Sequence, residues 1–192
     1  INLLTLVDFS PLILAKQNQL NDFVEVVSGI NHPNLMNFSH KPERLDNIST
    51  FCFRTDAPEH ISSWKQFCKT EMSLFHTLSL FRQLTSAVAA LNSKGIIHRD
   101  VHPTRLHMKN GILKFNIIGL PYNFKKLMKN TTYSGHISYS APELIMDDQK
   151  LSVTSDTWSL GCCLYYLVTK KDPFYGRSIQ ETKHYISNLQ VD

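Results

Sequence analysis

Apolar residues recur at steps of three and four through Leu74, Leu78, Phe81, Leu84, Val88 and Leu91. That spacing predicts an amphipathic helix of about five turns. Gly95 follows where such a helix should stop, in keeping with glycine's ease at a helix C-terminus. Ahead of it the texture is different. Short apolar runs at Leu3–Val7, Leu12–Ala15, Leu35–Phe38 and Ile48–Phe53 read as strands, with a short helix over Leu20–Val27 and a break at His32-Pro33-Asn34. Behind it, Leu106–Met108 and Ile112–Ile118 flank Lys109-Asn110-Gly111. Asn-Gly between two such runs predicts a hairpin, because both turn positions need positive φ. Leu113, Phe115 and Ile117 share one face of its second strand, opposite Lys114 and Asn116. Trp158–Val168 is apolar all round, which predicts a helix inside the core.

A strand-rich part is therefore followed by a larger helical part with a hairpin inside it, the pattern of an α+β fold with two lobes. The boundary falls at residues 1–55 and 56–192. At 192 residues the chain can bury a sizeable core, and its 42% hydrophobic and 19% charged content is ordinary for a globular protein. A formal charge of +4, scattered along the chain, is too mild to argue for nucleic acid. Lys125, Lys126 and Lys129 gather, but a solvated loop accounts for them. No apolar run reaches membrane-spanning length. The absence of an initiating Met suggests a piece of something longer.

The cysteines are Cys52, Cys68, Cys162 and Cys163, without a CxxC pair or a histidine at zinc-finger spacing. Two are adjacent in an apolar run, where buried thiols are the default. A reducing, cytoplasmic setting fits.

Four motifs in order carry a resemblance. Ile97-His98-Arg99-Asp100, followed by Val101 and Pro103, comes between the long helix and the hairpin. Gly135 to Glu143 ends in Ala141-Pro142-Glu143. Asp156-Thr157-Trp158-Ser159-Leu160-Gly161 opens the apolar helix, and Asp172-Pro173-Phe174-Tyr175-Gly176 follows it. Together they resemble the catalytic loop, the end of the activation loop, the central large-lobe helix and the loop after it in eukaryotic protein kinases. The likeness is close over about residues 74–180 and weak before them. It implies a protein-kinase-like fold with a small N-lobe remnant and a helical C-lobe that lacks the last helices.

Phosphoryl transfer needs metal ions held against the phosphates, a Lys on the nucleotide and a carboxylate that orients the attacking hydroxyl. The resemblance places that carboxylate at Asp100. Where active relatives carry a phosphate-contacting Lys, this chain has His102; where they carry a metal-binding Asn, it has Arg105. An Arg is never deprotonated in proteins and cannot ligate a cation. The second metal-binding Asp falls on Ile117 when Gly119 is aligned with the family's Gly, and Ile117 offers no oxygen. Moving the register to Asn116 breaks the spacing to Gly119. No glycine precedes Gly29, so no phosphate-covering glycine loop is present in this sequence. Lys16 could be a remnant of the nucleotide-binding Lys, but its partner Glu position falls on Phe23, with Asp22 and Glu25 beside it, only about seven residues on.

Structural roles also follow from the resemblance. His98 would pack into the core, and Asp156 would hold the catalytic-loop backbone. Thr131 and Thr132, with Tyr133 and Ser134, lie where relatives are phosphorylated, and Arg99 would receive an added phosphate. Glu143 would pair with an Arg of a late helix that this sequence does not reach. The expected function is that of a pseudokinase, a protein-binding scaffold or allosteric regulator using the C-lobe surface, within a larger multidomain chain. Two other readings stand beside it: an atypical active kinase transferring phosphate from ATP to Ser or Thr, and a nucleotide-binding switch that holds ATP without magnesium through Arg105. No metal is expected.

Overall fold

The computed structural model describes residues 2–8, 25–36, 43–44, 50–56, 62–63, 72–116, 137–145 and 152–191. Its described strands form two antiparallel sheets. In the first, β1 (Asn2–Asp8) and β2 (Glu43–Arg44) flank β3 (Thr50–Asp56). In the second, β5 (Leu106–Lys109) lies between β4 (Ser62–Ser63) and β6 (Ile112–Phe115). The first sheet agrees with two of the four strands predicted there; Leu12–Ala15 lies outside the described residues, and of Leu35–Phe38 the described part makes only an isolated bridge at Leu35.

Helix α1 spans Leu74–Asn92. The Ser73 hydroxyl accepts the His76 N–H at its start, and the chain leaves through Gly95 at φ +75°, where a Cβ would be strained. Thr77, Leu80, Leu84, Ala87, Val88 and Leu91 form its buried stripe. The β5–β6 hairpin turns at Asn110 and Gly111, both at positive φ, as two-residue turns between right-twisted strands require. Its Leu106, Leu113 and Phe115 are fully buried against that stripe.

Helix α2 is a single turn, Pro142–Ile145, and α3 runs Val153–Thr169, five residues further toward the N-terminus than its apolar run. The expectation of a helix buried on all sides is corrected. Ser155, Asp156, Ser159, Cys162, Cys163, Tyr166 and Leu167 face inward, whereas Gly161 and Val168 are exposed. The inward stripe includes small polar residues because each bonds within the core: the Ser159 hydroxyl donates to the Tyr139 carbonyl at 2.8 Å. Lys170, at φ +64°, closes the helix with its N–H on the Tyr166 carbonyl. Helix α4, Ile179–Ser187, follows, capped by Ser178.

Residues 25–28 form a helical turn that leads into His32-Pro33-Asn34. This break is pinned to the helical part. His32 Nε2 meets the Ser86 hydroxyl at 3.0 Å, and Asn34 donates to Gln83 and to the Leu113 carbonyl. Leu35 then bridges Phe115 in parallel. Among the described residues, no helix is long and apolar enough to cross a membrane.

Gly176 has a tighter constraint than the turn glycines. A Cβ there would lie 2.5 Å from the Thr182 nitrogen and 2.9 Å from the Glu181 carbonyl carbon, both backbone atoms of α4. Gly176→Ala should therefore destabilise by about 2 kcal/mol through a forced shift of α4, read as a lowered urea midpoint.

Candidate functional site

The site is built where α1, the loop after it and α3 meet. Buried Asp156, near the start of α3, accepts the His98 N–H at 2.9 Å and the Arg99 N–H at 2.8 Å. The Asn92 side-chain amide, at the end of α1, adds a third bond at 2.9 Å. These bonds hold Arg99 at φ +65°, a left-handed conformation that a non-glycine residue adopts at a cost. The turn at Arg99 in turn sets the direction of Asp100.

His98 is buried against the Phe115 ring, with centroids 4.4 Å apart. Its Nδ1 accepts the Asp100 N–H at 3.3 Å, so Nε2 carries the proton and donates to the Asn116 carbonyl at 2.9 Å. The Asn116 N–H donates to the Arg105 carbonyl. Burial pushes the His98 imidazole down to about 4, against the opposing pull of Asp100, Asp156 and the Asn116 carbonyl.

That displacement is a statement about stability. The folded state disfavours protonated His98, while the unfolded chain takes up a proton near 6.5. Stability is therefore complete above pH 6.5 and declines as pH falls toward 4, by about 3 kcal/mol. Urea titrations across this window should show the decline, and His98→Gln should flatten it.

Asp100 is 3% exposed, and two neighbours close around its carboxylate. Arg105 Nε donates to Oδ2 at 2.6 Å, with Nη2 2.5 Å from the same oxygen. His102 Nε2 lies 3.0 Å from Oδ1 in an oblique contact. Both ends of the carboxylate are thus engaged from within the loop. Burial alone would raise this carboxyl; the bond and charge of His102, and the charges of Arg105 and His98, outweigh it and hold the group well below the usual carboxylate range.

The short 3-10 turn Pro103–Arg105 makes the closure possible. His102 caps it, its Nδ1 accepting the Thr104 N–H at 3.3 Å and meeting the Thr104 hydroxyl at 2.9 Å. The turn swings Arg105 back beneath Asp100. Sequence reading had treated the exchanges at His102 and Arg105 as separate losses; the structure brings both onto one carboxylate.

Further along, Tyr139 donates its hydroxyl to Asp172 at 2.5 Å, and its ring sits 6.3 Å from that of His102. Burial, with Asp172 next to it, pushes the Tyr139 phenol far up. Among the described residues the Ser155 hydroxyl donates to the half-buried Glu143 carboxylate at 2.5 Å. Asn92 and Ser155, and the bond of Tyr139 to Asp172, were missed because side-chain partners far apart in sequence leave no periodic signal. Thr104, two residues after His102, was in plain view. Lys16, Ile117, Gly119, Thr131 and Thr132 lie outside the described residues.

Arg105 directs its charge at Asp100, and no group of three or more His, Cys, Asp or Glu side chains that could hold a metal ion gathers among the described residues.

The protein kinase domain family model matches residues 13–191. The chain belongs to the protein kinase family. This kinase domain is 30% identical over 168 residues to sperm motility kinase 2B of Mus musculus, covering 85% of the chain and 34% of that protein. It is 30% identical over 173 residues to the serine/threonine-protein kinase RUNKEL of Arabidopsis thaliana, covering 87% of the chain and 12% of the relative. Against Aurora kinase A-A of Xenopus laevis the identity is 28% over 178 residues, with 91% and 42% covered. The chain thus spans well under half the length of each of these relatives.

Proposed function

We propose that this kinase domain transfers no phosphate and acts by binding, presenting the helical C-lobe surface to a protein partner as a scaffold or allosteric regulator. One observation carries the reading. The carboxylate that would orient a substrate hydroxyl is buried and already bonded by Arg105 and His102, the two residues that replace the metal-binding Asn and the phosphate-contacting Lys. A base so held has neither a free lone pair aimed at a substrate nor a metal beside it.

Ile117 at the second metal position adds to this. Metal-free nucleotide binding through Arg105 is disfavoured by the same pair, because the guanidinium charge is largely neutralised by Asp100. The larger lobe begins at residue 56 in this reading, supported by the pairing of β4 with the β5–β6 hairpin. A reducing, cytoplasmic setting is supported by Cys162 and Cys163, which are buried and whose thiols burial pushes up, Cys162 to about 12.

Thermal unfolding in the presence of ATP separates the readings. We expect no shift of the midpoint with ATP and magnesium, nor with ATP and EDTA. Stabilisation only with magnesium would restore the active kinase, and stabilisation that survives EDTA would favour the metal-free switch.

A further inference from the structure

Asp100, His102 and Thr104 lie two residues apart in one loop, and their contacts run in one line. The Thr104 hydroxyl is 2.9 Å from His102 Nδ1, and His102 Nε2 is 3.0 Å from Asp100 Oδ1. The direction of the protons follows from the ends. Nδ1 accepts the Thr104 backbone N–H, so it bears no hydrogen, and the Thr104 hydroxyl must be the donor to it. Nε2 then carries the ring proton and faces a carboxylate. Asp100 and His102 are buried, whereas Thr104 is exposed. A hydroxyl at the surface is thus backed by an imidazole, and the imidazole by a buried carboxylate that Arg105 fixes from its other oxygen.

We propose that Thr104 is a nucleophile toward small activated acyl esters, with His102 as its base and Asp100 as the positioning residue. This arrangement is independent of phosphate transfer and needs no metal. It has the roles that activate a hydroxyl elsewhere: a nucleophile within reach of a base, and a third group orienting that base. In the first step Thr104 Oγ1 bonds to the ester carbonyl carbon while the bond from that carbon to the leaving aryloxide breaks. The hydroxyl proton passes to His102 Nδ1 and from there to solvent, and the aryloxide departs with the electron pair. Water then attacks the acyl-threonine. Its proton goes to Nδ1, the bond from the carbonyl carbon to Oγ1 breaks, and Oγ1 recovers a proton from the imidazolium, leaving a carboxylic acid and free Thr104. The oblique set of His102 against Asp100 leaves the relay to straighten on substrate approach, as hydrogen bonds in free sites commonly do.

p-Nitrophenyl acetate is the probe, read both as released p-nitrophenolate and as an acetyl adduct located by peptide mass spectrometry. We expect the adduct on Thr104. His102→Ala and Thr104→Val should each lower Thr104 acetylation or nitrophenolate release by about ten-fold or more, and Thr104→Ser should retain them. Circular dichroism melts check that Thr104→Val, which keeps the side-chain shape, is folded like the parent. Asp100→Asn should move the pH–rate curve to lower pH, because the imidazolium loses its counter-charge; a residue that only supports the loop would leave the position of the curve unchanged. Acetylation confined to lysines or tyrosines in the folded chain, or release undiminished in folded Thr104→Val, would overturn the proposal.

Discussion

Asp156→Ala should be the most destabilising single substitution in the site, costing about 4 kcal/mol and lowering the urea midpoint accordingly. The carboxylate is fully buried and accepts three hydrogen bonds: the His98 and Arg99 backbone N–H groups and the Asn92 amide. Alanine removes all three acceptors at once. Each buried donor left unsatisfied costs about 1–3 kcal/mol, less than additively because the loop relaxes. Relaxation has its own consequence here. Arg99 is held at positive φ by that carboxylate, so freeing it lets the turn revert and carries Asp100 out of reach of Arg105 and His102. Asp156→Asn should be intermediate, since the amide keeps the shape and one acceptor but turns an NH₂ toward a backbone N–H. A change below about 1 kcal/mol in Asp156→Ala would show that the loop is held by something else. For a domain stable by about 5–15 kcal/mol, the predicted loss is a large share of the whole.

The second large effect concerns Arg105. Arg105→Ala should destabilise by about 3 kcal/mol at neutral pH, more than Asp100→Asn does. The asymmetry comes from exposure. The guanidinium side chain is 31% accessible and can turn to water when its partner is lost, whereas the Asp100 carboxylate at 1% cannot. Removing Arg105 takes a charged partner from a buried carboxylate, and burial then dominates and raises the Asp100 carboxyl. The sign of the pH dependence follows. In the parent the depressed Asp100 group contributes stability that is present above about pH 4, its unfolded value, and is lost as pH falls through its folded value. In Arg105→Ala the deficit relative to the parent should shrink as pH falls, because protonation removes the buried charge. The double variant Asp100→Asn/Arg105→Ala should be milder than Arg105→Ala alone. If position 105 were merely an eroded metal ligand at the surface, Arg105→Ala would be close to neutral.

Periodicity made the core elements legible. The stripe of α1 shares Leu84, Val88 and Leu91 with the predicted one, but Leu74 and Leu78 are exposed and Thr77, Leu80 and Ala87 take the inward positions; the Asn110-Gly111 turn has the predicted positive φ values. Helix α3 starts at Val153, ahead of the Trp158–Val168 apolar run, because Ser152 caps it and its first turn carries no apolar period to read. Helix α4 passed unnoticed despite a start signal in Ser178 and Glu181, since its buried residues are few: Thr182 and Ile186. The two-residue strands β2 and β4 leave no period to read.

At the site, residue identities were legible and their relations were not. The sequence makes plain that Arg105 cannot hold a cation, because that follows from guanidinium chemistry alone. That the same guanidinium bonds to Asp100 depends on a 3-10 turn, and a three-residue turn is decided by backbone geometry. The bond from Ser155 to Glu143, twelve residues apart, likewise leaves no mark in the sequence.

Transfer of labelled γ-phosphate from ATP, with magnesium, to the chain itself and to a generic protein substrate tests the enclosed carboxylate most directly. The expected result is incorporation no greater than in Asp100→Asn. Incorporation well above that variant, and abolished by it, would mean that Asp100 escapes Arg105 and His102 and works as a base.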